Sequence, residues 1–349
     1  MEKALVGISG GVDSSVSALL LKNQGYEVIG ATLLLTDNEE SNRKMIEDSK
    51  KVCEELKIKH ILIDCKKEFQ KEVIENFIYE YINGRTPNPC IKCNKDIKIK
   101  YLFQKAEELG IEYIATGHYA QKEYYETNNR YLLKMSNSEK KDQVYFLYNL
   151  TQQELKKIIF PLGGFKDKEE IREIAKQNGL GVASKSDSQD ICFIPDGDYK
   201  NFLKNTYAIE YMKQGNIVDI NGKILGKHNG IINYTVGQRK GLGLSMPNPV
   251  FVLKLDKEKN EVIVGEEENL YSNELIAKEC NFIMINKLED EMKVKVKTRY
   301  ASKLTDAIIL PYNDKKVKVI FDKPQKSIAK GQSVVFYKDK YVVGGGIIE

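Results

Sequence analysis

Residues 4–25 read ALVGISGGVDSSVSALLLKNQG, and the order of those residues decides the fold. A short apolar run, ALVGIS, breaks into a loop of glycine, serine and aspartate, SGGVDSS. VSALLLKNQG follows, with Val16, Leu19 and Leu20 on one helical face and a stop at Gly25. A buried strand that turns through glycines into a helix is the opening unit of a parallel sheet. The pattern repeats outward. EVIGATLLL (27–35) is a second strand and a helical region spans Met45 to Leu56. KHILIDC (59–65) is a third strand, 67–82 a helix and IEYIATG (111–117) a fourth strand. Strands that are apolar throughout are buried on both faces, so helices are expected on both sides of the sheet.

The texture then changes. KDKEEIREIAKQNGL (166–180) is a helix with Asp167 and Glu170 at capping-box spacing and Asn178-Gly179 at its end. GNIVDINGKILGKHNGI (215–231) sets turn dipeptides such as Asn221-Gly222 between short β-like runs. KVKVKTRY, DAIILPY, KKVKVIF, SVVFY and YVVGGGII, between 293 and 348, alternate as strands of a small antiparallel barrel. A chain of 349 residues exceeds what one core serves. Three domains are expected: an α/β domain at 1–203, a small mixed domain at 204–272 and a β-barrel at 273–349.

Composition excludes some classes. Charged residues make up 30% and no apolar run is long enough to span a bilayer, so the expectation is a cytoplasmic protein without membrane contact. A net charge of +4 leaves nucleic-acid binding open. Of the six cysteines, Cys53, Cys65 and Cys280 lie in apolar patterns and read as small buried hydrophobes. Cys90, Cys93 and Cys192 sit among Pro, Asn, Ser and Asp, where burial alone explains them less well.

In the loop, Gly10 and Gly11 allow positive φ and close approach of backbone to a ligand. Successive N–H groups and the helix N-terminus make an anion site, to which Ser9, Ser14 and Ser15 add hydroxyls. Asp13 would repel a phosphate unless a cation such as Mg²⁺ bridges the two. The GxxxxGK[ST] pattern of P-loop enzymes is missing. The SGGVDS loop resembles the pyrophosphatase-loop ATPases, which cleave ATP between its α and β phosphates to adenylate a substrate.

Six further blocks narrow the resemblance: GRTPNPCIKCNKDIKI (84–99), ATGHYA (115–120), KDQVYFL (141–147), SDSQDICFI (186–194), YTVGQRKGLG (234–243) and RYASK (299–303). In this order the chain resembles the tRNA-specific 2-thiouridylases over nearly its whole length. Argininosuccinate, NAD and GMP synthetases share the SGG loop but not the paired-cysteine blocks. The resemblance implies an ATP-dependent sulfurtransferase that makes 2-thiouridine at the wobble position of tRNA, served by a sulfur-donor protein. It implies that Cys192 carries a persulfide and that Cys93 frees the product through a transient disulfide with it. Gly7, Ile8, Ser9, Gly10, Gly11, Val12, Asp13 and Ser14, with Leu33 and Gly117, match nucleotide-contact positions. Asn88, Pro89 and Cys90 match the segment that meets the target base. His118, Lys141, Asp142, Gln143, Arg299, Tyr300 and Gln332 match tRNA contacts. Tyr119 and Tyr145 are expected to pack inside the domain rather than stack on the base.

One departure stands out. Many relatives carry Asp where this chain has Cys90, so the acid/base role of that carboxylate does not transfer. The C-x-x-C pair leaves three readings open: a redox dithiol, zinc ligands, or, with Cys192, three ligands of a [4Fe-4S] cluster.

Overall fold

The computed structural model describes residues 1–185, 191–194, 196–206, 212–313 and 316–349. The opening unit forms as its sequence requires. Strand Lys3–Gly7 lies at the centre of a parallel sheet ordered Lys59–Asp64, Glu27–Leu34, Lys3–Gly7, Tyr113–Ala115, Ile158–Ile159. Successive side chains of a strand point to opposite faces, and both faces here are covered. Leu5, Ala31, Ile63 and Ile114 enter one apolar cluster, while Ala4, Val6, Val28 and Ala115 enter the other. Helix Val12–Asn23 packs between the sheet and helix Lys168–Gln177. It therefore buries Ala18 and Leu21 besides Val16 and Leu19, and the half-exposed residue is Leu20.

The segments 66–82 and 89–108 are each one continuous helix with a π turn inside, at Gln70–Ile74 and Asn94–Ile99. Helix Lys168–Gln177 starts at Asp167, whose side chain accepts from the Glu170 N–H, and ends before Gly179 at φ +69. Cys53 and Cys65 are buried and Cys280 partly so.

The central sheet is mixed, with strands Phe251–Asp256, Glu261–Gly265, Gln214–Val218 and Ile224–Asn229 in that order. Its first turn carries Gly222 at φ +85, a conformation the Asn221-Gly222 pair supplies without Cβ strain.

In the C-terminal region, strands Tyr271–Phe282, Lys316–Lys326, Thr305–Tyr312, Met292–Lys297, Ser333–Lys338 and Tyr341–Ile348 pair in sequence. The last pairs back to the first, closing an antiparallel barrel. A hairpin of Ala120–Tyr125 and Arg130–Met135, contributed by the first domain, is attached to the barrel through Tyr341 opposite Lys134. No strand is expected there from the sequence.

Domain one and the barrel are locked by buried polar contacts. The Tyr145 hydroxyl donates to the Ser333 carbonyl at 2.8 Å, and the Tyr148 hydroxyl lies 3.2 Å from Ser333 Oγ. Asn281 donates to the carbonyls of Tyr148 and Leu150. Tyr119 and Tyr145 are fully enclosed, as their expected packing role requires. No helix among the described residues is long and apolar enough to cross a membrane.

Candidate functional site

The carboxyl ends of the parallel strands carry the loop that the sequence singled out. Gly10 adopts φ +68, and a Cβ there would stand 2.7 Å from Asp48 Cβ. Gly11 caps the helix with extended backbone and no side-chain bond of its own. The Ser14 and Ser15 hydroxyls instead close the turn from within, donating to the Gly11 carbonyl at 3.1 and 2.8 Å. The first N–H groups of a helix have no intrahelical acceptor, so this end is an anion site. Gly117, just past strand Tyr113–Ala115, fits against it so closely that a Cβ would lie 3.0 Å from the Ser14 nitrogen. Leu33, half-buried near the carboxyl end of strand Glu27–Leu34, lies at the same end of the sheet.

Asp13 is answered from two sides. Its carboxylate accepts from the Tyr119 hydroxyl at 2.8 Å and from Lys168 Nζ at 2.8 Å, a lysine that is itself almost fully buried. A second lysine reaches the loop at Gly10. Lys185 Nζ donates to the Gly10 carbonyl at 2.8 Å and to Asp48 at 2.6 Å.

The cysteine helix is set by its own sequence. The Asn88 side chain accepts from the Ile91 N–H at 3.3 Å, and Pro89 takes the first helical position, where no N–H is needed. Cys90 and Cys93 then fall three residues apart on one face, Cys90 exposed and Cys93 buried. Cys192, exposed, completes the group: its charge and that of Cys90 both act on the Cys93 thiol. All six cysteines are free thiols. The preceding residues of its motif, 186–190, lie outside the described residues.

Lys98 is the residue the sequence analysis missed. Five residues beyond Cys93, it would sit about 140° around an α-helix. The wider π turn at Asn94–Ile99 brings residues five apart back to about the same side. The Lys98 ammonium is felt by Cys90, Cys93 and Cys192, lowering the pKa of each, and it helps lower His118 as well. No spacing rule for regular helices would have found it.

Desolvation outweighs that charge at every thiol. It pushes Cys93 up to about 12, and Cys90 and Cys192 are also raised. The thiols are thus protonated near neutral pH. Alkylation by iodoacetamide should accelerate as pH rises well past 8, because only the thiolate reacts. Lys98→Met removes the charge that favours all three thiolates, so the alkylation rate at fixed pH should fall. An unchanged pH profile would place Lys98 away from the thiols. His118 is lowered to about 3, by burial first and then by Lys98, so its imidazole is neutral and is hydrogen-bonded to Thr116 Oγ1 at 2.8 Å.

A second group gathers beyond the helix. Asn94 Nδ2 reaches the Phe146 carbonyl at 3.5 Å, and Phe146 packs on Tyr300 with ring centroids 4.5 Å apart. Lys141 and Asp142 both act on Tyr300, and Lys297, another residue not expected from sequence, lies over its ring. Arg299 is half-buried and donates to the Ser327 carbonyl. Asp142 is buried, accepts from the Ser136 N–H and is raised to about 6 by desolvation. The Gln143 side-chain oxygen accepts from the Tyr119 N–H. Gln332 donates to the carbonyls of Thr86 and Pro87, immediately before Asn88. Asp142, Gln143 and Gln332 thus brace the site from inside. Where the three domains meet, a cleft of about 590 Å³ is lined by Asn88, Lys92 and Lys95, by Leu255 and by Lys330.

Among the described residues, no three Cys, His, Asp or Glu side chains are gathered closely enough to hold a metal ion. Cys90, Cys93 and Cys192 therefore do not make a site for a single metal ion such as zinc. A Mg²⁺ ion asks less of the protein, since one carboxylate and phosphate oxygens suffice, and Asp13 at the loop fits that demand.

Comparison with known proteins covers the chain from end to end. The family model described as the tRNA methyl transferase HUP domain matches residues 2–196. The tRNA methyl transferase PRC-barrel domain matches 200–266 and the aminomethyltransferase beta-barrel domain 272–348. A tRNA-specific 2-thiouridylase MnmA of Acetivibrio thermocellus is 50% identical, covering 100% of this chain and 99% of that protein. MnmA 1 of Caldanaerobacter subterraneus subsp. tengcongensis is 53% identical, covering 99% and 98%. A solved 4-thiouridine synthetase–RNA complex with bound ATP is 22% identical over 53% of this chain and 43% of that one, with a TM-score of 0.38.

Proposed function

The chain belongs to the tRNA-specific 2-thiouridylase family, and from that premise we propose that it exchanges the C2 oxygen of a tRNA wobble uridine for sulfur at the expense of ATP. The observation that carries this reading is that one domain holds both an anion-binding glycine loop and three thiols gathered around Lys98.

The chemistry needs both parts. Oxide cannot leave a uridine C2 carbonyl at neutral pH. Transfer of AMP to that oxygen, with release of pyrophosphate, makes a phosphate-ester leaving group. Gly7 to Ser14 would cradle the phosphates, with Leu33 and Gly117 against the nucleotide. Asp13 would hold Mg²⁺, which when bound neutralises phosphate charge. The Cys192 persulfide then attacks C2 through its terminal sulfur, and AMP departs with the oxygen. Cys93 attacks Cys192 Sγ, the S–S bond to the substrate breaks, and 2-thiouridine leaves. An external thiol must reduce the resulting Cys93–Cys192 disulfide.

Lys98 suits these steps, because a nearby cation favours each thiolate without being consumed. Asn88, Pro89 and Cys90 stand at the entrance for the flipped base, which an anticodon loop yields at least cost. Lys141, Arg299 and Tyr300 would take the RNA backbone and His118, being neutral, would offer a hydrogen bond rather than a charge. The sulfur reaches Cys192 from a persulfide-bearing protein, and exposure of that cysteine suits such a hand-over.

The deciding experiment combines purified protein, unmodified tRNA transcript, ATP and a persulfide donor, followed by nucleoside mass spectrometry. We expect 2-thiouridine at the wobble position, with AMP formed only when that tRNA is present. Absence of the thionucleoside under these conditions would overturn the reading.

A further inference from the structure

Two lysines outside every motif so far assigned converge on the glycine loop. Lys168 opens helix Lys168–Gln177, and Lys185 follows that helix by eight residues. A lysine as buried as Lys168 costs stability unless it is paired. Asp13 pairs with it at 2.8 Å and is the one acidic group in a loop otherwise built for anions. Lys185 spends two of an ammonium's three donors on the Gly10 carbonyl and Asp48. Each carboxylate holds a cation beside the loop.

We propose that Lys168 and Lys185 are the phosphate-reading cations of the nucleotide site, held in place by Asp13 and by Asp48 with the Gly10 carbonyl. This rests on the reading that the loop binds ATP. Backbone N–H groups give a phosphate partial charges only, whereas pyrophosphate departure concentrates negative charge that full cations stabilise. The loop lacks the lysine that P-loop enzymes carry within their motif. In this chain the cations come from a later helix and the segment after it.

The test is equilibrium binding of ATP and of adenosine, without Mg²⁺, to the full-length protein. Lys168→Met and Lys185→Met should each weaken ATP binding by about tenfold or more, the scale of one charge-assisted hydrogen bond. Adenosine binding should stay unchanged, and the arginine variants should recover part of the loss. Lys168→Met should still weaken ATP binding in an Asp13→Asn background, where the charge at position 13 no longer needs neutralising. If that double variant binds ATP as well as Asp13→Asn alone, Lys168 is only a counter-ion and the proposal falls. Equal losses for ATP and adenosine would show that the lysines merely buttress the loop. A wild-type protein that binds ATP no better than adenosine would instead sink the nucleotide reading beneath it.

Discussion

Alanine at Cys192 or at Cys93 should abolish thiolation, by about a thousandfold or more, while tRNA-dependent formation of AMP survives. The two activities separate because the thiols and the phosphate loop are different parts of the domain. Cys192→Ala leaves no carrier for the persulfide. Cys93→Ala leaves the carrier but nothing to attack its inner sulfur, so the tRNA should stay linked to the protein as a mixed disulfide. A denaturing gel without reductant separates these two outcomes: the adduct is expected for Cys93→Ala and absent for Cys192→Ala. Cys90→Ala is the contrasting variant. No sulfur passes through Cys90 in this scheme, so substantial activity should remain. Loss of activity together with loss of bound iron in that variant would overturn the persulfide route.

The same residues mark how far the sequence was legible. Strand, glycine loop and helix could be read from 4–25 because the hydrophobic period changes there from continuous to helical. The barrel could be read from alternation between 293 and 348. The hairpin at 120–135 could not, since half of it is exposed and polar and its pairing to Tyr341 is purely tertiary. Cys90, Cys93 and Cys192 were visible as cysteines in polar surroundings. Lys98 was hidden because its alignment depends on a π turn, and the hydrogen-bonding register that makes one is not written in any residue type. Lys168 was read only as part of a capped helix, though it is buried against Asp13, 155 residues away in the chain. Asp142 and Gln332 were visible as motif residues, but their inward hydrogen bonds were not.

Asp13→Ala should lower tRNA-dependent AMP formation by about a hundred- to a thousandfold, the range found when one preorganised electrostatic partner is removed from a reacting site. The substitution does two things at once. It takes away the carboxylate that would hold Mg²⁺ against the phosphates, and it strips Lys168 and the Tyr119 hydroxyl of a shared acceptor. Asp13→Asn separates the two effects. An amide oxygen still accepts from Tyr119 at nearly the same geometry, so the loop keeps its shape, but the charge that holds a divalent ion is lost. If metal holding is the main role, the asparagine variant should be almost as slow as the alanine variant, and raising Mg²⁺ should recover part of the rate. If shaping the loop is the main role, asparagine should restore most of the rate and Mg²⁺ should have no effect. In both variants the affinity for tRNA should be unchanged, because Lys141, Arg299 and Tyr300 belong to the other group of residues. Wild-type AMP formation by Asp13→Ala would remove this carboxylate from the mechanism altogether.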